Sequence, residues 1–66
     1  MNKIKIVSTS ELSKVIDVPR SNRGLYLSLE SDGTDIVLVA CDNSTGDAWV
    51  EEFYSTKDAM RWLERA

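Results

Sequence analysis

The sequence predicts an α+β domain in the order β-α-β-β-β-α, in which a three-stranded antiparallel meander carries a C-terminal helix on one face. Three observations predict it. From Leu25 onward apolar and polar residues alternate, which is the two-residue period of a strand. Two turn signatures, Asp32-Gly33 and Asn43-Ser44-Thr45-Gly46, divide this region into strands over about 25–30, 35–42 and 47–54. Ala59, Trp62 and Leu63 then recur at helical spacing behind Ser55 and Thr56, and this predicts a helix over about 56–65. Sixty-six residues make one small domain, 1–66, and a chain this short buries only about 60% of its unfolded surface.

Before the meander, residues 3–7 alternate and are β-branched, which reads as a short strand. Ser8-Thr9-Ser10 offers hydroxyl caps, and Leu12, Val15 and Ile16 follow at helical spacing, so a short helix is expected over about 11–17. Pro19 ends it, because proline lacks an N–H and restricts Val18. Residues 19–24 are then a polar loop.

Within the meander, a two-residue turn at Asp32-Gly33 would pair Leu29 with Ile36, Leu27 with Leu38 and Leu25 with Ala40. Residues 36–41 are apolar on both faces, as in a central strand. A three-residue loop at Ser44-Thr45-Gly46, with Gly46 left-handed, would pair Cys41 with Trp49, Ala40 with Val50 and Val37 with Phe53. A four-residue loop would turn this last strand over. Ser55 or Thr56 caps the final helix, whose inner face is Ala59, Trp62, Leu63 and Ala66 with Met60 on its flank. Tyr54 stands where a hydrophobic staple on Ala59 would form.

This pairing sorts the side chains into two faces. Leu25, Leu27, Leu29, Ile36, Leu38, Ala40, Ala48 and Val50 form an aliphatic face for the C-terminal helix. Tyr26, Val37, Val39, Trp49, Glu51 and Phe53 fall on the other face, which is aromatic and acidic. Two fates are open to it. The N-terminal segment (Ile4, Ile6, Leu12, Val15, Ile16) folds over it, or it docks another protein or a second copy of the chain.

Composition excludes several chemistries. There is no histidine, which removes histidine-based triads and the common zinc sets. The single cysteine, Cys41, cannot form an internal disulfide, and it reads as a packed thiol in a reducing, cytoplasmic compartment. Asn43-Ser44-Thr45 matches a glycosylation sequon but reads as a turn. Residues 42–47 lack the ligand spacing of a calcium loop, and the glycines at 24, 33 and 46 are too scattered to cradle phosphate. No apolar run is long enough for a membrane span, and no apolar stretch follows the charged start as it would in a signal peptide. The expectation is a non-catalytic domain with no metal, cofactor or small-molecule substrate.

Charge disfavours nucleic acid. The chain carries a net charge of -3. Residues 24–54 hold seven acids and no base, so this block repels phosphate. The order α-β-β-β-α resembles double-stranded RNA-binding domains, but Lys57-Asp58-Ala59-Met60-Arg61 lacks their basic second-helix signature. The stretch FYSTKDAMRWLE is similar to the close of arm-type integrase domains, a resemblance that implies a three-stranded sheet on a terminal helix. Those sheets reach DNA with basic side chains, which this one does not carry. A basic loop with Lys14, Arg20 and Arg23 is the alternative, nucleic-acid-binding surface, and an acidic inhibitor that imitates phosphate is a further alternative. The principal expectation is a protein-interaction or self-association module.

Overall fold

The structure is a computed structural model that describes residues 3–65. Its elements are β1 (Ile4–Val7), α1 (Thr9–Asp17), a 3₁₀ turn (Pro19–Ser21), β2 (Gly24–Asp32), β3 (Asp35–Asn43), β4 (Trp49–Phe53) and α2 (Thr56–Leu63). The predicted β-α-β-β-β-α order is therefore present, and the fold is α+β. The strands form one four-stranded sheet in the order β1-β2-β3-β4. β1 pairs parallel to β2, and the other neighbours are antiparallel. The sheet is thus mixed, and the meander gains a parallel fourth strand from the N-terminal segment.

Local chemistry accounts for the helix ends. The Ser8 hydroxyl accepts from the Glu11 amide at 3.1 Å and donates to Glu11 Oε1 at 3.2 Å, so α1 begins two residues earlier than the expected 11. Its inner face is Leu12 and Val15, and Pro19 opens the 3₁₀ turn that follows. Ser55 caps α2 by accepting from the Asp58 amide at 3.4 Å. The α2 helix stops at Leu63, two residues short of the expected 65, and Ala66, assigned to its inner face from sequence, lies outside the described residues. Tyr54 is exposed, so it does not staple the helix entry.

The two helices lie on opposite sides of the sheet. Leu12 and Val15 of α1 pack on Tyr26, Val37, Val39 and Cys41, with Val7 and Ala48 at the margin. Ala59 and Leu63 of α2 pack on Leu25, Leu27, Leu38 and Ala40, flanked by Ile4, Phe53, Met60 and Trp62. Three layers result, α1 over sheet over α2. Ser28 is fully buried on the α1 side, and its hydroxyl finds no partner among the described residues.

Both hairpins close differently from the sequence expectation. In the first, Asp32 pairs with Asp35 around Gly33-Thr34, so Leu29 faces Leu38 rather than Ile36. Gly33 has φ of 76° and Thr34 is not in the positive-φ region, the φ signs of a type II′ turn. The slip is two residues, so every side chain keeps its face.

The second hairpin slips by one residue. Asp42 pairs with Trp49, Ala40 with Glu51 and Leu38 with Phe53. A one-residue slip turns the whole strand over. Trp49, Glu51 and Phe53 consequently share the α2 face with the leucines, while Val50 and Glu52 share the α1 face. The expectation that Trp49 and Phe53 oppose the leucines is overturned, as is the placing of Val50 on the aliphatic face. The cause is a longer loop, in which Gly46 (φ 89°) and Ala48 (φ 51°) both adopt left-handed backbone.

Candidate functional site

Asn43 shows why the loop is longer. It is fully buried at the end of β3. Its Nδ2 donates to the Pro19 and Asn22 carbonyls, at 2.7 Å each, and its Oδ1 accepts from the Ala48 amide at 3.0 Å. The Tyr26 hydroxyl donates to the same Asn22 carbonyl at 2.8 Å. One side chain therefore pins the 3₁₀ turn to the β3–β4 loop and holds Ala48 where a non-glycine residue costs about 1–2 kcal/mol. Burial and full engagement also exclude Asn43 as a glycan acceptor in the folded chain.

The six residues proposed from sequence as one docking surface are not brought together. Tyr26, Val37 and Val39 are buried beneath α1, so the N-terminal helix covers that part of the face. This cover comes from Leu12 and Val15. Ile16 stays largely exposed, and Ile4 and Ile6 lie on the opposite side of the sheet. Trp49, Glu51 and Phe53 stand together on the α2 side of β4. Trp49 is 65% exposed and Phe53 partly buried.

Because β4 is an edge strand, one side of its backbone has no strand partner among the described residues. Its five residues, Trp49–Phe53, present Glu51 on one face and Glu52 on the other. Beside the edge, on the α2 side, a shallow cavity of about 300 Å³ is lined by Phe53, Asp58, Arg61, Trp62 and Arg65. Its apolar floor is the Phe53–Trp62 pair, with ring centroids 5.8 Å apart and planes tilted by 51°. An acidic strand edge thus adjoins an aromatic groove with an arginine rim. The sequence reading named Trp49, Glu51 and Phe53 but missed Glu52, Trp62, Arg61 and Arg65. Only the flipped register brings β4's aromatic side next to α2.

The residues of the basic alternative are only partly brought together. Lys14 is exposed on α1, and Arg20 and Arg23 stand against Gly46 of the β3–β4 loop, where a β-carbon would meet each of them at 3.6 Å. That loop also carries an acid, Asp47.

Cys41 is fully buried in the α1-side core. Burial, with a smaller contribution from the neighbouring Asp42 carboxylate, raises its thiol above the ordinary value. A buried, protonated thiol packs and does not attack. No group of three or more acids or cysteines among the described residues is placed to hold a metal ion. No described helix is long and apolar enough to cross a membrane.

Comparison with protein-family models, with curated proteins and with solved structures finds no match in any of the three.

Proposed function

We propose that this domain is a non-catalytic interaction module whose docking element is the outer edge of β4 together with the aromatic groove beside it. A partner adds an extended segment to β4, its backbone completing the strand's unpaired hydrogen bonds and its side chains alternating between the two faces. One observation carries the reading, namely that Trp49 lies 65% exposed on an edge strand in a chain with little apolar surface to spare. Tryptophan is enriched at the centres of protein interfaces, where a polar rim excludes water. Glu51 and Glu52 supply such a rim, and their charge selects a basic segment.

The test is a titration followed by amide chemical shifts at low salt. The probe is an extended peptide of roughly ten residues that alternates lysine and valine, compared with one alternating glutamate and valine. Shifts confined to residues 49–53 and the groove, seen with the lysine peptide and weakened by Trp49→Ala, are expected. No response to the lysine peptide, or an equal response to both peptides, overturns the reading.

A further inference from the structure

We infer that the segment received by the β4 edge is the first strand of a second copy of this chain, so that copies join head to tail. The inference rests on the reading of β4 as the docking edge and names its partner.

The two free edges of the sheet are chemically complementary. At one edge β1 reads Ile-Lys-Ile-Val behind Lys3, and at the other β4 reads Trp-Val-Glu-Glu-Phe. Lys3 and Lys5 are exposed, as are Glu51 and Glu52. Direction also agrees. β1 runs with β2, β3 runs against β2, and β4 runs against β3, so β1 and β4 point the same way. A second copy displaced sideways along the sheet therefore presents its β1 parallel to β4, and each helix layer continues on its own side.

Face parity then decides which side chains meet. Ile4 and Ile6 share the α2 face with Leu25 and Leu27, whereas Lys5 and Val7 share the α1 face with Tyr26 and Ser28. On β4 the α2 face holds Trp49, Glu51 and Phe53, and the α1 face holds Val50 and Glu52. In the register that sets Lys5 opposite Glu52, Ile6 falls beside Phe53 at the floor of the groove. Ile6 is 73% exposed in the single chain, an unusual state for an isoleucine on a strand. One alignment thus satisfies the charges on one face and covers an exposed isoleucine on the other.

Two closed alternatives are disfavoured by the same residues. An antiparallel β4–β4 pair centred on Glu51 sets glutamate against glutamate, and a β1–β1 pair centred on Lys5 sets lysine against lysine. Like charges directly opposite destabilise a strand pair. Head-to-tail contact does not close by itself, and strand twist would wind the growing sheet into a helical array.

Sedimentation velocity over a concentration series tests this, with wild type, Lys5→Glu, Glu52→Lys, the double reversal and Ile6→Ser compared at low salt. Far-UV circular dichroism checks folding, and all three substituted positions are exposed. Wild type is expected to form species that grow with concentration and shrink at high salt, where surface charge is screened. Each single reversal weakens association about tenfold, the double reversal restores it to within about threefold, and Ile6→Ser weakens it with the charges unchanged. A wild type that stays monomeric up to about 1 mM overturns the inference, since a weaker contact would have no standing as an interface. A dimer that never grows, or a double reversal no better than either single change, overturns it too. Binding of the lysine peptide by a protein that stays monomeric defeats the head-to-tail contact alone and leaves β4 as a docking edge.

Discussion

Asn43 is fully buried and makes three side-chain hydrogen bonds. It joins the 19–22 turn to the β3–β4 loop, through two donated hydrogen bonds and one accepted bond, in a place water does not reach. Asn43→Ala leaves the Ala48 amide without its acceptor and removes one of two donors from each of the Pro19 and Asn22 carbonyls, and the expected loss is about 1–3 kcal/mol, read from the urea midpoint at unchanged slope. Cys41 yields a pH prediction. Its thiol is raised in the folded state, so the fold holds this proton more tightly than the unfolded chain does. The contribution is fully present below the thiol's ordinary value of 9.0 and is lost as pH climbs above it. Urea midpoints measured from neutral pH to above that value should fall for wild type, and fall less for Cys41→Ala. This role of Asn43 could not be read from sequence, where it stands in a turn-forming run beside Ser44, and its partners Pro19 and Asn22 are linked to it only by the folded chain.

Among the elements, lengths and turns decide what is buried. The α2 helix has eight residues and spans about 12 Å, whereas β2 and β3 have nine each and span about 30 Å. The helix therefore covers the middle of its face and leaves Leu29 (57% exposed) and Ile36 (64% exposed) beyond its reach, although alternation alone assigns both to the core. Leu63→Ala, at a fully buried position, is expected to cost about 2–5 kcal/mol, against less than about 0.5 for Leu29→Ala. Equal losses in thermal or urea unfolding would mean that the helix seat has been misplaced. The α+β order, the strands of the meander and both helices were legible because period, caps and proline are local signals. The face of β4 was not, because it depends on whether one loop holds three residues or one more. Ala48 settled that by accepting a left-handed backbone that its side chain does not advertise. The candidate site inherited the error. Trp49, Glu51 and Phe53 were identified together, but their true neighbours on α2 were assigned to the far side.

At the scale of the whole molecule, the acidic block at 24–54 ends on one sheet edge and the lysines of the N-terminal segment on the other, so the chain is polar from edge to edge. Its three layers are also unequal in origin. The antiparallel pairs β2–β3 and β3–β4 join neighbours in sequence, but in β1 residue 4 must find residue 25 before a single parallel bond can form. Closing that longer excursion costs chain entropy before it yields contact. The expected order of assembly is hairpins first, with the N-terminal strand docked onto a sheet already formed. Val7→Ala, at the margin of the α1-side core, should accordingly hasten unfolding in a denaturant chevron and leave the refolding limb almost where it was. On that order, a refolding chain is expected to pass through a stage in which Tyr26, Val37 and Val39 are still bare. The helix that follows the first strand is then the domain's own chaperone, since Leu12 and Val15 end that exposure when the strand docks.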